Sequence, residues 1–539
     1  MLRRAAMRYG RRQHSRPFRR WPRRLLIATN ILVLISLLAV GSAYGYVRWR
    51  LDSIRTIAAA HLSTVGQAPT EIVHGKKVKD TADGLLPENI LLIGNETRAG
   101  LTNPAEIAAL GSPSLYSGSL SDVIMILHLD PLTDSASTLS IPRDLFLPMP
   151  AGSPVGPYQK IDAALNDGAN GPDNLIEAIT DDLGIPINHY IELNFDGFEQ
   201  TVNAIGGINV DFPEPVFDSF SQLDITQTGC QHINGTQALA MVRARHLQYD
   251  PPGVPLDDVA DWPYDPNSDL ARIVRDHTFL DILANTAETK GLTKPVTANA
   301  FIGGIINQIT IDPGLKNQLI PLITHYRHIN PATAPQTTLP IIAYGGADGY
   351  VYNGYSMGDI DFPDQPADNR AIAAWDSNAL PVPVAPTGVQ VDNITYTSQL
   401  AATTATALTA DGFHVLGTGD ATDPATTSET LVNYPTGGLP QAIDVVDHLS
   451  GLVMLQPNPT VPAGTIALDV GSNVAVTAPP AAAAAPASTA APPASTPSMP
   501  PAATAPAAAT TLDGQTASPS ADQNRPWDPR PCTGQVASP

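Results

Sequence analysis

An uncharged apolar run near the amino terminus is the strongest constraint on how this chain can fold. Residues 25–47, LLIATNILVLISLLAVGSAYGYV, are 23 residues without a charged side chain. As an α-helix at about 1.5 Å per residue, the run would be about 35 Å long, which is enough to cross a bilayer. A cleaved signal peptide is the alternative, but its apolar core is usually about 7–15 residues long. The length therefore favours a membrane anchor.

The charges on the two sides of this run are strongly asymmetric. Residues 1–24 carry ten arginines and no acidic residue, which leaves 20 basic and 51 acidic residues for the rest of the 539-residue chain. Basic residues accumulate on the cytoplasmic side of a membrane span. We therefore expect a single-pass protein of the cell membrane with a short cytoplasmic head and the bulk of the chain extracytoplasmic. Because this topology explains the arginines, we expect no nucleic-acid partner.

Composition and periodicity divide the chain into segments. We predict a basic head, a transmembrane helix, a polar stalk, a main domain, a smaller α/β domain and a disordered Pro/Ala-rich tail, over residues 1–24, 25–47, 48–85, 86–381, 385–476 and 477–539 respectively. In the main domain, strand-like runs at 89–94, 123–130, 137–141 and 189–195 alternate with helix-like runs at 174–184 and 198–207. This alternation predicts an α/β fold with a central mixed sheet flanked by helices.

The tail has the composition of a tether. Residues 471–512 contain no charged side chain and are mostly Ala, Pro, Ser and Thr, so they lack the large apolar groups that offset the entropy of ordering. An inert spacer and a segment that contacts the cell wall are both compatible with this composition. The chain has two cysteines, Cys230 and Cys532. In an oxidising compartment they can form a disulfide, although two unrelated thiols remain the alternative.

Residues 118–148, GSLSDVIMILHLDPLTDSASTLSIPRDLFLP, have two apolar runs around a turn and charges near their ends. A hairpin centred near Thr133 places Asp122 opposite Asp144 and brings both, with Arg143, to one edge of the sheet. Two close carboxylates repel each other unless a cation lies between them. Mg²⁺ fits this arrangement because it prefers oxygen ligands and usually binds one or two carboxylates plus phosphate oxygens. Ordinary salt bridges at the strand ends are the alternative.

Two further segments supply arginines. MVRARH (241–246) has Arg243 and Arg245 two residues apart, which places them on one face if the segment is extended. Arginine binds phosphate oxygens with a planar pair of donors, so several arginines around a metal suit a pyrophosphate. Solvated arginines on a surface are the alternative.

The second of these segments, SDLARIVRDHTFLDIL (268–283), has the apolar spacing of a helix that Ser268 can cap. In such a helix Asp269 and Arg272 lie on neighbouring positions of one face, and Arg275 flanks them. Together with the hairpin, these groups resemble a phosphoryl-transfer site, where positioning and charge neutralisation do most of the chemistry.

Seven segments in order resemble the LytR-CpsA-Psr family, whose members are membrane-anchored enzymes that join cell-envelope polymers to peptidoglycan. The segments are NILLIGNETR, SDVIMILHLDP, SIPRD, KIDAALNDG, GIPINHYIELNFDGFEQTVNAIGGINVDFP, HINGTQALAMVRARH and DLARIVRDHTFL. The resemblance covers residues 89–287. Residues 385–470 are similar to the C-terminal domain often appended to actinobacterial members.

The resemblance implies a Mg²⁺-dependent phosphotransferase that binds a polyprenyl-pyrophosphate-linked glycan in a hydrophobic pocket and transfers the glycan phosphate to peptidoglycan. It implies that the magnesium ligands are Asp122 and Glu96. The catalytic residues that it implies are Arg143, Asp144, Arg243 and Arg245. The substrate-binding residues that it implies are Lys160, Asp269, Arg272 and Arg275.

Three residues depart from the family pattern. Glu96 stands where the family usually has aspartate, Leu120 where it has arginine, and Asp276 where it has glutamine. The last two remove a positive contact to the pyrophosphate and add a negative charge, which can cost about 1.5–3 kcal/mol of binding or transition-state stabilisation. We therefore expect an enzyme of reduced activity. The alternative is a protein that holds a lipid-linked precursor without turnover. A purely structural wall tether does not explain the gathered arginines.

Overall fold

The computed structural model describes residues 42, 45–46, 48–63, 85–96, 120–289, 306, 309–345, 349–420, 428–477, 515–517 and 525–532, with short gaps inside several of these ranges. The predicted head, almost all of the predicted span and most of the predicted tail lie outside these residues. In the part of the chain that is described, no helix has the length and hydropathy of a membrane span. The chain divides into two units at Ser53 and Ile54, and in the first unit residues 48–52 are helical.

The second unit contains all the strands that the structure describes. They are β1 (Arg55–Thr56), β2 (Glu88–Asn95), β3 (Ser121–Asp130), β4 (Ser135–Ile141), β5 (Phe146–Pro148), β6 (Tyr158–Lys160), β7 (His189–Asn194), β8 (Ile208–Phe212), β9 (Val216–Asp218), β10 (Leu223–Ile225), β11 (Gly229–Ile233), β12 (Gln248–Tyr249), β13 (Ile309–Ile311), β14 (Gln336–Thr338), β15 (Ile341–Tyr344), β16 (Tyr350–Tyr352), β17 (Tyr355–Gly358), β18 (Ile360–Gln365), β19 (Gly388–Asn393), β20 (Val415–Asp420), β21 (Thr430–Tyr434), β22 (Leu449–Pro457), β23 (Thr465–Val470), β24 (Val474–Val476), β25 (Gln515–Ala517) and β26 (Arg530–Pro531).

The α-helices with described bounds in this unit are α1 (Gly171–Leu183), α2 (Phe195–Ala204), α3 (Gly235–Arg243), α4 (Ser268–Thr289), α5 (Pro313–Tyr326), α6 (Ala367–Trp375), α7 (Leu400–Ala410) and α8 (Leu439–Val446). Local sequence explains several of their ends. Helix α1 has proline in its first turn and ends at Gly184, whose φ of 70° is accessible to glycine. Helix α3 begins with a capping box formed by Asn234 and Gln237.

A seven-stranded mixed sheet is the centre of the main domain. Its strand order is β1-β13-β7-β2-β3-β4-β14, with antiparallel pairs β2–β3 and β3–β4 and parallel pairs β2–β7 and β4–β14. Leu91, Ile126 and Leu139 on three neighbouring strands are fully buried and belong to one core with residues of α1. The predicted central mixed sheet flanked by helices is confirmed, and β2, β3, β4 and β7 fall on the predicted strand runs.

The β3–β4 hairpin is shifted by one residue from the predicted register. Asp130 pairs with Ser135 and Ile124 pairs with Ile141, so the predicted turn centre at Thr133 is wrong by half a residue. The cause is the side chain of Asp130, whose Oδ1 accepts from the Leu132 amide at 2.8 Å and whose Oδ2 accepts from the Thr133 hydroxyl at 2.6 Å. These bonds close the turn directly after Asp130. In this register the position opposite Asp122 is Arg143, not Asp144.

A second α/β domain follows the main one, as predicted. Strands β20, β19, β23, β21 and β22 are neighbours in this order, and helices α7 and α8 pack on them. Its core is aliphatic, with Val389, Val391 and Leu468 fully buried. The sheet continues into the main domain, because β22 also pairs with β18.

Two segments differ from the predicted organisation. Residues 54–63, part of the predicted stalk, belong to the folded unit: β1 pairs with β13, and the Ser63 amide donates to Ile187 O at 2.7 Å. Residues 525–532, part of the predicted disordered tail, pack on the main domain, where β26 pairs with β8 and Cys532 forms a disulfide with Cys230. The β1–β13 and β26–β8 pairings could not be read from local composition, because the partners lie far apart in the sequence. Of the two alternatives for the cysteines, the disulfide is the one that the structure contains.

Candidate functional site

Three strand ends meet at one edge of the central sheet. Because β2 and β4 both run antiparallel to β3, their carboxyl ends lie beside the amino end of β3, with Asn95 opposite Ser121. Glu96 directly follows β2, and its amide donates to Leu120 O at 2.9 Å. Asp122 is the second residue of β3, and Arg143 lies two residues beyond β4. The sheet therefore gathers the predicted residues of the hairpin at this edge.

Arg143 lies between the two carboxylates that the hairpin was predicted to bring together. Its Nη1 donates to Asp122 Oδ1 in a close ion pair, and its Nε lies 3.7 Å from Asp144 Oδ2. The three side chains are only 11–13% exposed. A guanidinium that separates two carboxylates relieves their mutual repulsion, and Arg143 lies at the position between Asp122 and Asp144 where a cation was predicted.

Asp144 gathers further cations. Lys160 Nζ donates to its Oδ1 at 2.7 Å, and Arg245 Nη2 donates to its Oδ2 at 3.0 Å. Lys160 is placed by the short β5–β6 ladder, in which it pairs with Phe146. One carboxylate thus organises three positive groups in a mostly enclosed space. This arrangement leaves an excess of positive charge suited to an anion such as a phosphate.

Arg243 reaches the same edge by a different route from the predicted one. The segment around it is not extended: Arg243 is the last residue of α3, and the chain becomes extended at Ala244. The Arg243 guanidinium lies 4.5 Å from the ring centroid of Phe195, at the start of α2, and 3.6 Å from Glu96 Oε1. The prediction that Arg243 and Arg245 share one face of a strand is therefore wrong, although both side chains contact acidic residues of the site.

Helix α4 contributes Arg272 to the edge. This side chain is 3% exposed, and its Nη1 donates to the carbonyl oxygen of Asp122 at 2.5 Å and to Asp276 Oδ2 at 3.3 Å. Arg272 therefore joins α4 to the amino end of β3. The side chain of Asp269, which was predicted to accompany it, lies outside the described residues.

Arg275 is not placed as predicted. It is 0% exposed, and its guanidinium donates to Asp265 and Asp528 at 3.4 and 3.5 Å and to Ala244 O at 2.5 Å. A side chain that is fully enclosed by protein groups cannot contact a ligand in this structure. The assignment of Arg275 to substrate binding is therefore corrected: it supports the backbone behind the site.

An apolar cavity opens beside the charged cluster. It has a volume of about 210 Å³ and is lined mainly by side chains of the central sheet and of α2, α3 and α4, among them Ile93, Val123, Leu193, Phe198, Val242 and Phe279. Val123 and Val242 are the neighbours in sequence of Asp122 and Arg243. Asp276, which is paired with Arg272, is the one charged residue in the lining. A hydrophobic chain with an anionic end matches this combination.

Comparisons with known proteins agree with this architecture. The family model of the LytR-CpsA-Psr family matches residues 51–362, more than half of the chain. The chain belongs to this family. A second model, described as LytR cell envelope-related transcriptional attenuator, matches residues 387–477. The protein is thus a LytR-CpsA-Psr family member with a C-terminal LytR domain.

Individual relatives of the LytR-CpsA-Psr protein match over shorter regions. The probable cell wall biosynthesis protein LcpB of Corynebacterium glutamicum is 32% identical over 227 residues, which cover 42% of this chain and 48% of the relative. The polyisoprenyl-teichoic acid–peptidoglycan teichoic acid transferase TagV of Bacillus subtilis is 39% identical over 130 residues, which cover 23% and 32%. The chain therefore spans about half or less of the length of these relatives. A LytR-Csp2A-Psr enzyme from Actinomyces oris aligns in structure with a TM-score of 0.41 and 21% identity, over 60% of this chain and 96% of the other.

Asp162 is a residue of the LytR-CpsA-Psr domain that the sequence reasoning missed. It is 6% exposed, its amide donates to Arg143 O at 3.2 Å, and its carbonyl accepts from the Ser121 hydroxyl at 3.4 Å. Burial raises the pKa of Asp162 to about 7, and the opposing effect of Arg143 is smaller. It lies in the segment KIDAALNDG, so its acidic side chain next to buried apolar residues was the available signal.

A larger cavity lies away from this cluster. It has a volume of about 580 Å³ and is lined by Glu177, Asp181 and Asp182 of the main domain and by Gln456 and Pro457 of the C-terminal LytR domain. Its charged lining is acidic, which disfavours an anionic ligand. At the smaller cavity, by contrast, arginines and apolar side chains meet.

The carboxylates at the sheet edge are compatible with magnesium. Within the described residues no group of three or more His, Cys, Asp or Glu side chains is arranged to hold a metal. Mg²⁺ usually needs only one or two protein carboxylates, because substrate phosphates and water complete its coordination. Glu96 follows the carboxyl end of β2, Asp122 lies at the amino end of the neighbouring β3, and each lies beside an arginine, so this oxygen donor set fits such an ion together with a phosphate.

Proposed function

We propose that this protein is a membrane-anchored phosphotransferase that moves a glycopolymer phosphate from a polyprenyl-pyrophosphate-linked precursor to peptidoglycan. One observation carries the proposal: an enclosed cluster of Arg143, Lys160, Arg243 and Arg245 borders an apolar cavity. A pyrophosphate that joins a glycan to a lipid needs both environments. The name of TagV, a transferase that acts on a polyisoprenyl-linked polymer and peptidoglycan, supports this substrate class.

The lipid and the pyrophosphate would occupy different parts of the site. The apolar cavity would take the first isoprene units, because burying apolar surface stabilises by about 25 cal/mol per Å². Arg143, Arg245 and Lys160 would bind the phosphate oxygens, and Asp144 would hold these three cations at fixed positions. Since Asp144 already accepts from Lys160 and Arg245, it suits the role of an organiser better than that of a base.

The transfer is a displacement at phosphorus. A hydroxyl oxygen of peptidoglycan attacks the phosphorus on the glycan side, and the bond between this phosphorus and the bridging oxygen breaks. Polyprenyl phosphate leaves with the bridging oxygen, and the hydroxyl proton goes to this released phosphate. The arginines and Lys160 stabilise the negative charge that develops on the transferred and leaving oxygens. Asp122 and Glu96 would hold Mg²⁺, which when bound neutralises phosphate charge.

The test uses the full chain in detergent micelles with farnesyl pyrophosphate as probe. We expect Mg²⁺-dependent attack of water on the terminal phosphorus, which breaks the P–O–P bond and releases farnesyl phosphate and inorganic phosphate, both measured by mass spectrometry. Arg143→Ala should lower turnover at least about 100-fold, because it removes charged contacts worth about 1.5–3 kcal/mol each. The matched control is Arg370→Ala on α6, an exposed arginine outside the site. Equal turnover of both variants would contradict the assignment of the site.

A second candidate function is binding of the lipid-linked precursor without turnover. The observation that favours it is the buried pair of Arg272 and Asp276, in which a carboxylate partly neutralises a cation beside the cavity. Leu120→Arg distinguishes the two functions, because it adds a positive charge next to Glu96 and Asp122. A gain in farnesyl phosphate release indicates an impaired enzyme. Unchanged absence of release, with farnesyl pyrophosphate still bound, indicates a binding protein.

A further inference from the structure

The C-terminal segment, residues 525–532, is attached to the main domain at three points. Cys532 is disulfide-bonded to Cys230, and β26 pairs with β8 through Arg530 and Asp211. The ring of Trp527 stacks on Tyr249 with centroids 3.8 Å apart and planes 2° apart. A covalent bond, a backbone ladder and an aromatic stack thus hold the same short segment on the domain.

The segment places a carboxylate next to a buried cation. Asp528 is 1% exposed and its Oδ1 lies 3.5 Å from Nη1 of Arg275, which is 0% exposed. The second acidic partner of Arg275 is Asp265, at 3.4 Å. A guanidinium without contact to water needs compensation by nearby negative charge, and Asp265 and Asp528 both lie close enough to supply it. Asp528 is itself fixed, because its Oδ2 accepts from the Arg525 amide at 2.7 Å.

Arg275 in turn contacts the backbone that carries the site. Its Nη2 donates to the carbonyl oxygen of Ala244 at 2.5 Å. Ala244 lies between Arg243 and Arg245, whose guanidinium groups contact Glu96 and Asp144. At this residue the chain leaves helix α3; its amide still donates to Met241 O at 3.4 Å, and its carbonyl accepts from Arg275. The contact from Arg275 therefore supports the backbone where the two site arginines diverge.

We propose that the C-terminal segment is part of the catalytic apparatus and that Asp528 is a positioning residue for Arg243 and Arg245. Asp528 acts through Arg275, which holds the carbonyl between the two arginines. This inference rests on the proposed function, which gives Arg243 and Arg245 their role at the phosphate. It assigns to the end of the chain a role that its composition does not suggest.

The expected effect is a change in the site and not only in global stability. In Asp528→Asn, Arg275 keeps one carboxylate and its contact to Ala244 O weakens, so Arg243 and Arg245 sample more positions. We expect turnover of farnesyl pyrophosphate by the full chain with Mg²⁺ to fall about 10-fold, mainly in kcat, the effect of one weakened charged hydrogen bond. Asp528→Glu keeps the charge and should recover part of the loss.

The experiment compares Asp528→Asn, Asp528→Glu and Cys532→Ser with the control Asp411→Asn, which alters an ion pair with His448 in the C-terminal LytR domain. Hydrogen exchange of the amides of residues 243–246 is measured beside turnover. We expect faster exchange there in Asp528→Asn and in Cys532→Ser, little change in Asp528→Glu, and none in the control.

Two results would overturn the proposal. The first is exchange at residues 243–246 in Asp528→Asn equal to that of the unmodified chain. The second is exchange that rises equally over the whole domain, since Asp528 would then act only on stability. If the unmodified chain does not release farnesyl phosphate, the proposed function fails, whereas the exchange measurement still tests the positioning by Asp528.

Discussion

The main domain and the C-terminal LytR domain differ in the charged residues that they contain and bury. In the main domain Arg272 and Arg275 are 3% and 0% exposed and lie in networks with carboxylates. No lysine or arginine occurs in residues 371–524, which include the whole second domain. Its core consists mainly of aliphatic residues such as Val389 and Leu468. Buried ion networks add little stability compared with apolar packing. Among the described residues, the buried arginines therefore lie in the main domain.

Besides the β18–β22 pairing and a shared apolar cluster, two side-chain hydrogen bonds join the domains away from the arginines. Tyr434 of the C-terminal LytR domain donates its hydroxyl to Asp181 O at 2.7 Å, and Tyr158 of the main domain donates to Gln456 Oε1 at 3.2 Å. These contacts lie beside the acidic cavity. The comparison thus predicts that changes in the second domain affect stability, whereas changes at the sheet edge affect activity.

The largest effect is expected for Asp144→Asn. The change removes the negative charge that holds Lys160 and Arg245. Release of farnesyl phosphate should fall about 100-fold, because two charged hydrogen bonds are weakened and their free energy is lost from transition-state stabilisation. The comparison variant is Asp469→Asn in the second domain, where the carboxylate accepts from Asn433 at 2.9 Å. Turnover is measured for both in the same micelles. A similar loss in Asp469→Asn would remove the contrast between the domains.

The next effect concerns Asp162 and the pH dependence of stability. Burial raises the pKa of Asp162 from 3.8 to about 7. Because the folded chain holds this proton more tightly, the stability it contributes is present below about pH 4 and is lost as the pH rises toward 7. The free energy of unfolding, from urea denaturation, should fall about 2–3 kcal/mol more between pH 5 and pH 8 in the unmodified chain than in Asp162→Asn. The exposed Asp224→Asn is the control, and a parallel profile for Asp162→Asn would refute the assignment.

A smaller effect on stability is expected for His189 in β7, whose pKa is raised by acidic partners and not by burial. Burial alone lowers the pKa of His189, but hydrogen bonds to Asp312 and Glu88 outweigh it and raise the pKa to about 9. The protonated ring therefore stabilises the fold below about pH 6.5, and this contribution is lost as the pH rises through 9. His189→Gln should lower the free energy of unfolding by about 1–2 kcal/mol at pH 6 and by less at pH 9.5. Urea denaturation at both values measures this, and an equal loss at both would contradict the ion pairs.

The smallest effect is expected at the domain boundary. Tyr434→Phe removes one hydrogen bond to Asp181 O and should cost about 1 kcal/mol of stability. Turnover of farnesyl pyrophosphate should stay within about twofold, because the contact is remote from the arginines. The urea midpoint and the turnover rate are measured on the same preparation. A large loss of turnover with an unchanged midpoint would show that the second domain acts on the site.

The sequence predicted the site to the level of residue type and strand, but not the partner of each side chain. Alternating apolar runs located β2, β3 and β4, and the charges at their ends indicated Asp122, Arg143 and Asp144. The register differed by one residue because Asp130 closes the turn, and that shift places Arg143 opposite Asp122. Local periodicity does not resolve a shift of one residue at a turn.

Sequence by itself determined the two α/β domains, the mixed central sheet and the set of arginines and carboxylates from which the site is made. The reason is that apolar periodicity and charge spacing act over a few residues and are visible in the chain. Tertiary structure alone decided that Arg272 contacts the site while Arg275 lies behind it, and that Asp528 compensates Arg275 across 253 residues. Such choices depend on which distant segments exclude water from a charge, and the energy of a buried charge is set by those neighbours.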